Sequence, residues 1–172
     1  PTFLQVAGLT AGKVGMQRLV GRSLLDVFAS PKSGQINPLR DHVLVGKERH
    51  DVGRPKNGGY PIRGIVKDNM LYLHNFEPDR WPAGNPETGY LNCDGGPTKT
   101  ILLEQRRSGS SKFWKLNFGK RPANELYDLK ADPDCVNNLV VSKNDYSILE
   151  KTLRTQLFAE LKAQGDPRMS GK

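Results

Sequence analysis

The stretch Pro61–Phe76, PIRGIVKDNMLYLHNF, leaves the backbone little freedom. Two β-rich arms, Ile62–Lys67 and Met70–Phe76, flank Asp68-Asn69, a pair that tolerates the positive φ of a two-residue hairpin turn. Alternation with period two turns Ile62, Ile65 or Val66, Leu71 and Leu73 towards a core. An antiparallel pair is therefore the centre around which the remaining segments have to be placed.

Upstream, His42–Glu48 (HVLVGKE) reads as another strand, and downstream Glu125–Leu129 (ELYDL) alternates like one. The segment from Ser142 to Gly165 is the best-defined helix. Ser142 and Asp145 resemble a capping box, and Tyr146, Leu149, Leu153, Leu157 and Leu161 form an apolar stripe that Gly165 and Pro167 end. The chain opens with PTFLQVAGL, a short helix with Pro1 in its first turn and Gly8 at its end. A second short buried element follows, with Ser23 as N-cap ahead of Leu24, Leu25, Val27 and Phe28. Glu77–Lys99 is rich in proline and glycine, and a loop of that length is usually functional or packed on a neighbour. TILLEQRRSG suits a short helix, and FWKLNFGKRP is aromatic and basic without a decided form. The expected fold class is α+β: a small antiparallel sheet of about four strands covered by the long C-terminal helix and preceded by short helices.

With 172 residues the chain is long enough for one domain with a real core, or for a piece of a larger one. No apolar run approaches the roughly 20 residues that span a bilayer, and no signal peptide is visible. Twenty-six Lys and Arg against 18 Asp and Glu give a formal +8, which favours anionic partners: nucleic acid, sulfated or phosphorylated glycans, or acidic lipid heads. The cations are scattered apart from Arg106-Arg107, without a basic block or an aromatic RNA-binding signature, so nucleic acid is disfavoured. Cys93 and Cys135 form neither a CxxC pair nor a zinc pattern with His42, His50 and His74; a disulfide and two free thiols both remain open.

Four segments, in order, resemble the C-terminal part of a sulfatase of the alkaline-phosphatase-like superfamily. PTFLQVAGL and GRSLLDVFA resemble the segments that close the large catalytic domain. YPIRGIVKDNMLYLHNF resembles the hairpin of the C-terminal subdomain, and ELYDLKADPDCVNNL resembles the family's E-L-Y-D-L-x-x-D-P-x-E-x-x-N-L, with Cys135 in place of Glu. Arg49–Phe76, RHDVGRPKNGGYPIRGIVKDNMLYLHNF, is most similar to the heparan N-sulfatase (N-sulfoglucosamine sulfohydrolase) branch. The resemblance implies that residues 1–38 are the tail of the catalytic domain with a linker, and that residues 39–172 are the C-terminal subdomain. It also implies a missing N-terminal catalytic domain as partner, an anionic sulfated sugar as substrate, no membrane, and an exported or lysosome-like parent.

Sulfatases carry a C/S-x-P-x-R motif that matures to formylglycine, and neither Cys93 nor Cys135 sits in one. The acidic and amide residues that bind calcium in the family are also absent, so calcium and formylglycine are implied only for an intact enzyme. No catalytic residue is expected in this chain, and the isolated chain is expected to be inactive. Its expected substrate-binding residues are Lys47, Arg49, His50 and Arg54, which gather positive charge where a strand enters a glycine-rich loop; a solvated loop is the plain alternative. Arg63 is expected to bury its head against a carboxylate, and His74 to be a packed or capping histidine. Trp81, Tyr90 and Trp114 suit sugar stacking or, more simply, packing against the missing domain. Asp128, Asp132 and Asp134 have the wrong spacing for an EF-hand loop and read as turn chemistry beside Pro133. The rival function is a stand-alone basic module for anionic polysaccharide or nucleic acid.

Overall fold

The computed structural model describes residues 1–49, 56, 58–84, 93–142 and 145–171. Its elements run α1 (Thr2–Val6), a 3-10 turn (Gly12–Val14), α2 (Leu25–Phe28), β1 (His42–Lys47), β2 (Ile62–Lys67) and β3 (Met70–Asn75). They continue with α3 (Pro97–Arg107), α4 (Lys112–Phe118), β4 (Asn124–Asp128), a 3-10 turn (Leu139–Val141), α5 (Ser147–Gln164) and a last 3-10 turn (Pro167–Ser170). The fold is α+β, with one four-stranded sheet in the order β1-β2-β3-β4.

The chain divides into two compact units. The larger, Val43–Ala159, holds the sheet. Asp68 (φ 50°) and Asn69 (φ 61°) both adopt the left-handed conformation, which lets a two-residue turn match the strand twist. That turn fixes Ile65 opposite Tyr72 and Val66 opposite Leu71. Antiparallel pairing then sets Tyr72 opposite Leu126 on β4, so Ile65, Tyr72 and Leu126 make one row across three strands. All three are fully buried, and Leu153 and Leu157 of α5 are buried with them. The α5 helix contributes to the same sheet face: Phe158 lies edge-on to His74, and Lys67 Nζ reaches Gln156 Oε1 at 3.4 Å.

The alternation pattern is corrected in one respect. Leu71 and Leu73 are half-buried on the opposite face, and Tyr72 takes the central position. Tyrosine can do so because its hydroxyl donates to Asn124 Oδ1 at 2.8 Å, so its own donor is satisfied. Burial pushes the Tyr72 phenol well above its ordinary pKa.

The opposite face carries a buried polar row. Asn75 Nδ2 donates to Glu125 Oε1 at 2.7 Å and to the Pro122 carbonyl at 2.6 Å, and the Tyr127 hydroxyl donates to Glu125 Oε2. Glu125 is thus a core carboxylate.

Two helical expectations change. The aromatic segment Lys112–Phe118 is helical and buries Trp114 and Phe118, four residues apart, on one face. The last helix begins at Ser147, where Asp145 Oδ1 accepts the Ser147 amide at 2.9 Å; Ser142 instead closes the 3-10 turn, so the box between Ser142 and Asp145 does not form. Gly165 follows α5 at φ 79°, as its place predicts.

The smaller unit comprises Pro1–His42 and Glu160–Lys172. Its α1 and α2 bury no residue: Phe3 is 91% exposed and Phe28 69% exposed, against the expectation of a buried element at Leu24–Phe28. An ion pair between Arg40 Nη2 and Asp26 Oδ1 (2.9 Å), backed by Asn37 Nδ2 on Asp26 Oδ2 (2.9 Å), holds the segment after α2. No described helix is long and apolar enough to cross a membrane.

Candidate functional site

The basic loop after β1 starts from a fixed frame. Arg63 on β2 donates through Nη1 to the Lys47 carbonyl (3.2 Å) and the Ile62 carbonyl (3.0 Å), and through Nη2 to Glu48 Oε2 (3.1 Å). Its side chain is only 12% exposed, so the carboxylate partner expected from the sequence is present, and it is Glu48. Gly46 makes room for this side chain, since a Cβ there would lie 3.0 Å from Arg63 Cδ and 3.0 Å from the Ile62 carbonyl.

The far end of the loop is tied to the near end. A Cβ on Gly59 would fall 2.5 Å from the Glu48 carbonyl oxygen, a separation only glycine permits. Arg80 Nη1 donates to the Gly59 carbonyl at 2.9 Å while its Nη2 pairs with Glu77 Oε1 at 3.1 Å. Tyr60 and Pro61, which lead into β2, are fully buried. Residues 47–49 and 58–60 are therefore anchored on the sheet.

Lys47 and Arg49 are both exposed at this anchored base. His50 and Arg54 lie outside the described residues, as does Tyr90. Two exposed cations on a rigid base can hold anionic oxygens by charge-assisted hydrogen bonds, with Arg49 able to grip two at once.

His74 has the packed role expected of it. Its ring lies edge-on to Phe76 (4.6 Å) and Phe158 (5.1 Å), and Nδ1 lies 3.0 Å from Asn124 Oδ1. Burial depresses its pKa despite the Asn124 contact, so the neutral ring donates from Nδ1.

The acidic stretch at Asn124–Leu139 is architecture. Asp128 Oδ1 accepts the amides of Lys130 (2.9 Å) and Ala131 (3.0 Å), and Asp132 Oδ2 accepts that of Asn137 (2.8 Å). Asn138 Oδ1 accepts the amides of Leu126 (3.0 Å) and Val140 (3.1 Å), which satisfies a donor of β4. Cys135 sits at φ 52°, both cysteines are free, and burial first, then Asp132 and Asp134, raise the Cys135 thiol's pKa. Among the described residues, no group of three or more His, Cys, Asp or Glu side chains is placed to hold a metal ion.

Trp114 is buried within this chain rather than kept for another domain. Trp81 meets it edge-on at 5.6 Å, and the Arg106 guanidinium lies 3.9 Å above its ring. The sequence shows this segment as aromatic and basic, and folding adds the contacts among Trp81, Trp114 and Arg106.

No protein family profile matches the chain. An ulvan-active sulfatase of Formosa agariphila (strain DSM 15362) is 27% identical over 166 residues, covering 96% of this chain. The chain is sulfatase-like. It spans 28% of that curated relative's length. The solved structure of BT4656 in complex with its substrate D-glucosamine-2-N,6-O-disulfate has a similar fold over 97% of this chain and 24% of that one, with a TM-score of 0.50 at 19% identity. The sulfatase likeness thus runs almost end to end through this chain while touching under a third of its relative, as the C-terminal motifs imply.

Proposed function

We propose that this chain is the C-terminal subdomain of a sulfatase acting on a sulfated glycan, and that it lines one side of the substrate cleft. The observation that carries the reading is the match along 96% of the chain to 28% of a sulfatase. In this reading residues 1–38 finish the catalytic domain and residues 39–172 form the subdomain. Formylglycine would supply the attack on sulfur and calcium its charge stabilisation, both held by residues outside this chain. The chain's own contribution is positioning: Lys47 and Arg49, with His50 and Arg54, hold the anionic groups that flank the scissile sulfate.

A sulfated glucosamine is the preferred sugar. The motif likeness of Arg49–Phe76 to the N-sulfoglucosamine branch supports this, as does the disulfated glucosamine bound by BT4656. The test has two parts. Purified chain incubated with glucosamine-2-N,6-O-disulfate should release no sulfate detectable by ion chromatography; sustained release would overturn the reading. Titration calorimetry of the same sugar should show weak binding that Lys47→Gln and Arg49→Gln together reduce about 10-fold, as expected for loss of charge-assisted contacts. Unchanged binding would remove the loop from the site.

A further inference from the structure

The chain's net charge is concentrated in one place. Between Pro97 and Arg121 stand seven Lys or Arg residues and a single acid, Glu104, so 25 residues carry a formal +6 of the chain's +8. The whole segment is described, and it folds as α3 and α4, which pack on each other, followed by Gly119–Arg121.

The segment also has an aromatic floor. Trp114 is buried, Trp81 is half-buried against it, Arg106 covers the Trp114 ring, and Lys120 Nζ stands 5.5 Å from the Trp81 ring centre. Phe113 is 52% exposed, with Lys112 Nζ 5.6 Å from its ring. Arg107, Lys112, Lys115 and Lys120 are exposed. Like charges at this density repel one another and lower the stability of the fold that gathers them, and a polyanion relieves that repulsion. Apolar ring faces beside the cations add contacts that a simple counterion cannot use.

We propose that α3, α4 and Trp81 form a docking surface for a sulfated polysaccharide, separate from the loop at Lys47 and Arg49. The choice of a sulfated glycan over a nucleic acid rests on the proposed function; the surface itself rests on the charge and its aromatic floor. Such a surface holds the polymer rather than the residue being cleaved, and its binding is salt-dependent because ions are released from the chain it binds.

The chain's two tryptophans both lie in this cluster, so intrinsic fluorescence reads the surface directly. Titrating the full chain with a heparin-derived octasaccharide should shift tryptophan emission, and raising the salt should reverse the shift. Replacing Arg107, Lys112, Lys115 and Lys120 by Gln should weaken octasaccharide binding about 10-fold or more at physiological salt. Replacing the exposed Lys13, Lys32, Lys130 and Lys162 by Gln removes the same charge from elsewhere and should weaken it far less. Equal losses in the two variants, or an octasaccharide that leaves the emission unchanged, would overturn the surface. Circular dichroism melts of both variants show whether folding is intact; should the patch variant unfold, the emission titration of the unaltered chain decides. Tighter binding of a single-stranded DNA of matched charge would overturn the glycan as occupant. The patch variant should bind glucosamine-2-N,6-O-disulfate as the unaltered chain does. Loss of that monosaccharide binding with the Lys47 and Arg49 variants alone separates failure of the loop site from failure of this surface.

Discussion

His42, the first residue of β1, reaches Glu160 of α5 across 118 positions of sequence, with Nε2 2.8 Å from Oε2. Its other ring nitrogen, Nδ1, lies 2.7 Å from Asp41 Oδ1. Two ionised carboxylates only accept hydrogen bonds, whereas a neutral imidazole donates from one nitrogen alone, so this geometry selects the doubly protonated ring. Partial burial lowers the pKa, but the bonds to Asp41 and Glu160 outweigh it and the net shift is upward. A histidine raised in the folded state stabilises fully below its ordinary value of about 6.5, and that stability disappears as pH rises through the folded pKa. Glu160→Gln should therefore cost about 0.5–1 kcal/mol near pH 5.5 and little above pH 8.5, the modest size reflecting a partly solvated pair. Urea unfolding at the two pH values checks this; a difference that does not change with pH would count against the charged ring.

His74 should behave oppositely. Burial between Phe76 and Phe158 lowers its pKa, with the nearby Arg154 charge acting in the same direction. The unfolded chain then binds a proton that the folded chain resists, so stability falls as pH drops below about 6.5 and stops falling below the folded pKa. In a proton NMR titration the His42 ring should have its midpoint above 6.5 and the His74 ring below it. Coincident midpoints would contradict both assignments.

These two histidines also mark what the sequence could and could not reveal. His74 was legible because it stands in an alternating strand beside aromatic residues. His42 was not, because Glu160 becomes its partner only through folding. The same division holds around the loop: alternation placed Lys47 at a strand end and called for a carboxylate at Arg63, but only the pairing of β1 with β2 chose Glu48. The hairpin was legible because its turn residues and periodicity are local signals. The α4 helix was hidden because its aromatic residues suit strands equally well, and packing of Trp114 and Phe118 decided. The basic, aromatic character of the α3–α4 segment was legible, but the meeting of Trp81 with Trp114 and of Lys120 with Trp81 is made only by folding.

Gly64 sets how closely the central strands approach. An added Cβ would meet Leu73 Cδ2 at 2.6 Å, the Tyr72 carbonyl oxygen at 2.8 Å and Val45 Cγ2 at 3.1 Å. The leucine can turn aside, but the carbonyl is part of the sheet and cannot. Gly64→Ala should thus destabilise the chain by about 1–3 kcal/mol, in the range of overpacked cores. The exposed Gly95, with open space around it, supplies the control and should tolerate alanine within about 0.5 kcal/mol. Chemical denaturation compares the two, and equal effects would show that β2 yields more readily than its contacts imply.

Glu125 and Asn75 form the strongest test of the buried polar row. Glu125 is 5% exposed and Asn75 1% exposed, and Asn75 Nδ2 donates to Glu125 Oε1, while Asn75 Oδ1 finds no partner among the described residues. Glu125→Ala removes the acceptor for both Asn75 and the Tyr127 hydroxyl, leaving donors stranded in the core, and should cost about 2–4 kcal/mol. Asn75→Ala leaves a buried carboxylate with Tyr127 as its side-chain donor among the described residues, and should cost a similar amount. Once either partner has gone, removing the other takes away a group that is already unsatisfied. The double variant should therefore be more stable than the summed single losses predict, by about 1 kcal/mol or more. A double-mutant cycle from urea unfolding measures that coupling; strictly additive losses would mean that the two side chains act on stability independently, whatever their distance.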